Sequence, residues 1–170
     1  MSHAAPHGPP VRVITGAVDR DFIRVGRSPI HGRGVFARRK IPQGARIVEY
    51  TGARVPAHAV VAVLPEGGAA PVYAFQLDDA TVIDGARGGS DARFVNHGCA
   101  PNCEALCFDG HVYFYALRGI SRGEELTIDY RLATASSRGP TKRERDAYAC
   151  RCGSPGCRGT MLVRSSARSR

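Results

Sequence analysis

The chain has 170 residues, 43% of them hydrophobic, enough for one core, and its eleven prolines and twenty glycines favour short strands and turns over long helices. The apolar stretch 11–18 is too short for a membrane span or secretory signal, contains Arg12 and Thr15, and runs straight into Asp19-Arg20-Asp21. A formal charge of +9 points to acidic partners or to a substrate approached through a negative surface.

Residues 1–20 are rich in proline and histidine without periodicity and are expected to form a partly disordered leader, with His3 and His7 solvated. The runs 22–25, 46–50, 73–77, 81–83 and 111–116 are short, β-branched or aromatic, and bounded by glycine, proline or aspartate. They predict strands of several small sheets. The stretch 56–64, with Pro56 suited to a first turn, predicts one surface helix. Residues 67–71 read as a loop, and 131–141 are polar and basic enough to be mobile.

Six cysteines occur, none before Cys99. Cys150-x-Cys152-x4-Cys157 supplies three thiolates, one short of the tetrahedral shell that zinc takes in a structural site. Cys99, at the end of Arg93-Phe94-Val95-Asn96-His97-Gly98-Cys99, is one candidate for the fourth, and would tie the tail to the polar Asn-His segment. The lack of a secretory signal favours an intracellular, reducing setting and metal over disulfides, which are the alternative. Cys103 and Cys107 are expected to be small buried hydrophobes.

Taken in order, the motifs resemble those of the SET-domain protein lysine methyltransferases. His31-Gly32-Arg33-Gly34-Val35-Phe36-Ala37 is similar to the opening Gly-x-Gly segment, Glu49-Tyr50-Thr51-Gly52 to the Tyr-x-Gly turn, and 73–78 to the middle strand. Residues 93–103 match the Arg-Phe-x-Asn-His-x-Cys-x-Pro-Asn-Cys signature, 123–130 the closing signature, and 150–159 the zinc-binding post-SET tail. The resemblance covers about residues 22–163. It implies a mostly β fold of small curved sheets, a pseudoknot-like threaded C-terminal segment and a zinc-bound tail. The corresponding plan is a SET domain over 21–132, a basic mobile connector over 133–149, a post-SET segment over 150–163 and a tail over 164–170.

The resemblance further implies transfer of methyl groups from S-adenosylmethionine to a protein lysine, histone or non-histone, leaving S-adenosylhomocysteine. On this reading Tyr130 and Tyr50 are catalytic, and Tyr73 and Ile128 line the lysine channel. Gly32, Arg33, Gly34, Arg93, Asn96, His97 and Leu162 bind the donor, and Cys99, Cys150, Cys152 and Cys157 hold a structural Zn²⁺. Arg158 and Met161 join Leu162 as lid residues. Ile128 stands where many relatives carry phenylalanine or tyrosine; lacking a hydroxyl to hold a restricting water, it implies room for di- or trimethylation. Gly98 replaces the usual serine. Lys142, one of two lysines in the chain, is the expected automethylation site. The compartment implied is cytoplasmic for a bacterial protein and nuclear for a eukaryotic one. An inactive, zinc-stabilised basic module binding nucleic acid or chromatin is the alternative, and donor binding discriminates the two.

Overall fold

In a computed structural model, residues 20–59, 73–133 and 139–163 are described. The strands, in chain order, are β1 (Ile23–Arg27), β2 (Arg33–Ala37), β3 (Arg46–Tyr50), β4 (Ala53–Pro56), β5 (Ala74–Gln76), β6 (Thr81–Asp84), β7 (Asn96–His97), β8 (Cys103–Phe108), β9 (His111–Ala116), β10 (Thr127–Ile128), β11 (Leu132–Ala133) and β12 (Leu162–Val163). Among the described residues, short 3₁₀ turns occupy Arg20–Phe22, Ala57–Ala59 and Asp91–Phe94, and one helix, α1, spans Lys142–Ala147.

Among the described residues the strands form five small sheets: β1–β2, β3–β9–β8, β4–β6–β5, β7–β10 and β11–β12. Several small sheets are what the short β-branched runs predict. The β8–β9 hairpin turns at Asp109-Gly110, both with positive φ (49° and 75°), which suits the right-handed twist of a tight hairpin. Val35, Ile41, Ile47, Val112, Phe114, Ile120 and Leu126 fill the core and are fully buried. Along β9, Val112, Phe114 and Ala116 fall on the inward face at period two, and Tyr115 on the other face is covered as well.

Three expectations need correction. The helix expected over 56–64 is not formed where the chain is described: β4 pairs antiparallel with β6, Val55 opposite Val82, before the 3₁₀ turn 57–59, and 60–64 lie outside the described residues. Pro56, the residue suited to a first helical turn, instead ends β4 opposite Thr81, on an edge strand where its missing N–H is tolerated. The polar stretch 131–141 contributes Leu132 and Ala133 to a parallel pairing with Leu162 and Val163, while 134–138 lie outside the described residues. Its neighbour α1 begins with a capping box, in which the Thr141 hydroxyl accepts from the Glu144 N–H and the Glu144 carboxylate accepts from the Thr141 N–H. Cys103 is buried as expected, but Cys107 is exposed near the hairpin tip. The leader, the loop 67–71 and the tail 164–170 lie outside the described residues. Among the described residues no helix is long and apolar enough to cross a membrane.

The parallel pair β7–β10 positions the site. Thr127 lies opposite Asn96 and Ile128 opposite His97, so the polar Asn-His dipeptide is held against the closing signature. Asn102 fastens the same two segments: its amide donates to Glu124 Oε1 (3.0 Å) and the Glu125 carbonyl (2.8 Å), and its oxygen accepts from Thr127 N–H (2.8 Å). It is 2% exposed, so all of these bonds are needed to offset its desolvation. Asn102 lies inside the quoted signature, but its clasp is a long-range relationship that no local pattern announces.

Candidate active site and metal centre

Tyr50 ends β3, Tyr73 precedes β5 and Tyr130 follows β10, and the fold brings the three together. The Tyr50 ring packs on Phe75 (5.5 Å between centroids) and Phe114 (6.0 Å), and Tyr73 meets Phe94 edge-on at 5.7 Å. The Tyr130 hydroxyl donates to the Val95 carbonyl at 2.7 Å. Burial, then the neighbouring Tyr130 phenol and Asp84, push the Tyr50 hydroxyl above the usual phenol range. Tyr130 is raised likewise by burial, by Tyr73 and by the Glu125 carboxylate. Both hydroxyls therefore stay neutral, able to donate or accept hydrogen bonds. Gly85 makes room for this arrangement, since a Cβ there would come within 2.7 Å of the Tyr50 hydroxyl. Ile128 is 7% exposed and shares the core cluster with Tyr50, Phe94 and Val95. Phe75 and Phe94 are aromatic partners beyond those expected from sequence.

Asn96 is 8% exposed, and its amide nitrogen donates to three acceptors: the Arg33 carbonyl (2.9 Å), the His31 carbonyl (3.2 Å) and Glu125 Oε1 (2.8 Å). The opening Gly-x-Gly segment thus lies directly against the Asn-His strand. Its two glycines differ in kind. Gly32 has φ +46° and open space where a side chain would be, whereas a Cβ on Gly34 would fall 2.9 Å from both Glu125 Cδ and Ser28 Cβ. The Arg33 and Arg93 guanidiniums both lie over the Phe94 ring, at 3.9 and 4.5 Å from its centroid, and Arg93 also donates to the Gly89 carbonyl. Leu162, 5% exposed, is held in β12 opposite Leu132.

His97, 3% exposed, accepts the Tyr130 backbone N–H at Nδ1 (3.1 Å), so its proton resides on Nε2, which donates to Cys99 Sγ at 3.3 Å. Asp129 Oδ1 lies 3.5 Å from the same Nδ1. Burial lowers the imidazole pKa despite that carboxylate, so the contact is not an ion pair and His97 is neutral. Its ring also packs on Tyr130, 5.4 Å between centroids.

Cys99, Cys150, Cys152 and Cys157 converge, every Sγ lying within 4.8 Å of the others. Cys99 Sγ is 3.7 Å from Cys150 Sγ and 4.0 Å from Cys157 Sγ, well beyond a disulfide bond, and all four are free thiols. Zn–S bonds of about 2.3 Å in a tetrahedron place sulfurs ~3.8 Å apart, so the spacing fits zinc. Backbone N–H groups of Cys152, Arg158 and Gly159 point at Cys150, Cys99 and Cys157 Sγ respectively, each at 3.4 Å, and that of Cys99 at Cys152 Sγ at 3.5 Å. Such donors offset thiolate charge and orient the ligands. Cys99 thus joins the three tail cysteines in one four-thiol cluster. Such a closed set of four thiolates leaves zinc no open position for chemistry.

The SET domain model matches residues 32–131. Histone-lysine N-methyltransferase 2B of Homo sapiens is 37% identical over 147 residues, 82% of this chain and 5% of that protein. An Aspergillus oryzae protein named histone-lysine N-methyltransferase, H3 lysine-4 specific, is 40% identical over 151 residues, 82% of this chain and 11% of its own length. Histone H3-lysine(4) N-trimethyltransferase ATX1 of Arabidopsis thaliana is 37% identical over 150 residues, 84% of this chain and 13% of that protein. The chain thus spans a small part of each of these relatives. With the family model covering more than half of its length, the chain belongs to the SET-domain family.

Proposed function

We propose that the protein is an S-adenosylmethionine-dependent protein-lysine N-methyltransferase whose zinc is structural. The observation that carries the reading is the convergence of Tyr50, Tyr73 and Tyr130 beside the buried Asn96–His97 pair, inside a chain of this family. The relatives named as histone-lysine methyltransferases support a protein substrate of that kind. The target is a lysine of a protein substrate, histone or non-histone.

The donor supplies a methyl on a positively charged sulfur; its transfer breaks the S–C bond, forms an N–C bond and leaves neutral sulfur. The attacking amine must be neutral, and an apolar aromatic channel favours that form by making the ammonium costly. Tyr50, Tyr73 and Ile128 form the walls of that channel, and Tyr130 orients the amine without acting as a base. Asn96 and the carbonyls of His31 and Arg33 supply acceptors for the donor's ammonium, His97 contributes its backbone to the adenine side, and Gly32, Arg33, Gly34 and Arg93 shape the remaining wall. Leu162, with Arg158 and Met161, closes the lid. Holding both reactants in line is the main source of rate in such a displacement.

Ile128 supports di- or trimethylation, because an aliphatic side chain at the channel end neither fills the space of an aromatic ring nor binds a restricting water. Lys142 carries its ammonium in an exposed ion pair with Asp146 (2.6 Å), open to automethylation when that pair breaks. Four clustered thiols outside any disulfide suit a reducing, intracellular compartment, nuclear if the source is eukaryotic and cytoplasmic if bacterial. Nothing in the described residues favours an inactive nucleic-acid-binding module.

The test is methylation of histones and of source-organism lysate with labelled donor, followed by mass-spectrometric site mapping. Incorporation at lysine that disappears in Tyr130→Phe supports the reading; no incorporation, together with no S-adenosylhomocysteine binding by calorimetry, refutes it. Product stopping at monomethyl-lysine with enzyme in excess refutes the multiplicity.

A further inference from the structure

Glu125 sits in the closing signature next to Glu124, but the two carboxylates are used differently. Glu124 bonds to Arg118 near the surface, whereas Glu125 turns to the loop after β1, where the Ser28 hydroxyl lies 2.7 Å from Oε1 and 2.9 Å from Oε2. Ser28, 8% exposed, is itself held by the N–H groups of Ile30 (2.9 Å) and His31 (3.3 Å). The same Oε1 also accepts from the Asn96 amide, at 2.8 Å.

This decides which way Asn96 faces. Its nitrogen has two hydrogens and is surrounded by three acceptors, two carbonyls and a carboxylate. Turning the amide over would set its oxygen against all three, so the negative charge of Glu125 fixes the nitrogen inward and frees the oxygen to accept from a ligand. Gly34 is part of the same device, because a Cβ there would overlap Glu125 Oε1.

We propose that Glu125, locked by Ser28, is the positioning residue of the methyl-donor site: it orients Asn96 to receive the donor's ammonium and places a negative charge one side chain behind it. The inference rests on the donor-binding reading above. Its effect is specific to the amino-acid end of the donor, since the adenosine end is served by other residues.

The experiment compares S-adenosylhomocysteine with 5′-methylthioadenosine, which lacks the ammonium and carboxylate, by calorimetry on the full chain with zinc bound. Glu125→Gln is expected to weaken S-adenosylhomocysteine about tenfold, in the range of a lost charge-assisted bond, while methylthioadenosine changes less than about twofold. Ser28→Ala gives the same pattern with a smaller loss, and in an Asn96→Ala background Glu125→Gln adds nothing further. Equal losses on both ligands, or no loss on either, overturn the proposal while leaving the donor site intact. A wild-type protein that binds neither ligand overturns the donor reading itself and the proposal with it. If Glu125→Gln does not fold, Ser28→Ala decides alone by the same comparison.

Discussion

Arg158 and Asp129 form a bidentate ion pair, Nη1 to Oδ2 at 2.9 Å and Nη2 to Oδ1 at 2.7 Å, that joins the cysteine-rich tail to the residue preceding Tyr130. The backbone N–H of the same arginine points at Cys99 Sγ (3.4 Å). One residue thus links the four-thiol cluster to the segment that carries Tyr130. Burial pushes the Asp129 carboxyl up, but Arg158 and the Arg131 N–H outweigh it and hold it below the usual carboxylate range. The pair is partly exposed, so its contribution to stability is modest, about 1 kcal/mol, and its main effect is on geometry. Arg158→Ala is expected to weaken S-adenosylhomocysteine binding roughly three- to tenfold with a small change in thermal midpoint. Unchanged affinity in calorimetry would remove the ion pair from the lid.

Zinc removal should separate lid from core. Of the four clustered thiols Cys99 alone lies within the signature; the other three belong to a segment joined to the rest through Asp129–Arg158 and the two-residue pairing β11–β12. Cys99→Ser, or a chelator, is expected to abolish turnover and weaken donor binding while the sheets persist. Circular dichroism and activity followed against chelator concentration check this; loss of both at the same concentration contradicts it.

Tyr130→Phe removes the bond to the Val95 carbonyl and no apolar packing. A lost hydrogen bond of this kind costs about 1 kcal/mol, so the variant should fold, bind S-adenosylhomocysteine with near-normal affinity and lose most of its methyl transfer. Retention of full turnover in a labelled-donor assay would assign the orienting role elsewhere.

Glu124 gives the fold a dependence on acidity. Burial pushes its carboxyl up, but the Arg118 guanidinium, the Ser121 N–H and the Asn102 amide together hold it below the usual range. Because the folded value is the lower one, the stabilisation is complete above the unfolded value of about 4.3 and lost as pH falls through the folded value. Glu124→Gln is expected to be less stable than wild type near neutrality and to converge on it as pH falls through the depressed folded value, as read from denaturant unfolding at a series of pH values. A constant difference across that range would mean that the carboxylate charge is not what matters.

Much of the site was legible because its parts are local. A count of thiolates one short of four, the order of the motifs and the strands at 46–50 and 111–116 are all properties of short windows, and residue type alone carries them. The helix expected at 56–64 failed at its start because Pro56 takes part in a sheet whose neighbouring strand lies 25 residues further along (Pro56 opposite Thr81), a partner that a window does not contain. β7, β10, β11 and β12 are two residues long, too short for any periodicity, and exist only because the chain brings distant segments side by side.

The sequence by itself determined the chemistry on offer: four thiolates for a metal, three tyrosines for a channel and an Asn-His pair for a ligand. Only the tertiary structure decided how they are joined. The His97 proton lies on Nε2 because Tyr130 N–H takes Nδ1, Asn96 faces as it does because a carboxylate 29 positions further along the chain accepts from it, and Gly34 is small because that carboxylate needs the space. Hydrogen bonds and steric exclusion act between atoms a few ångströms apart, whatever their separation along the chain, so these relationships appear only once the chain is folded.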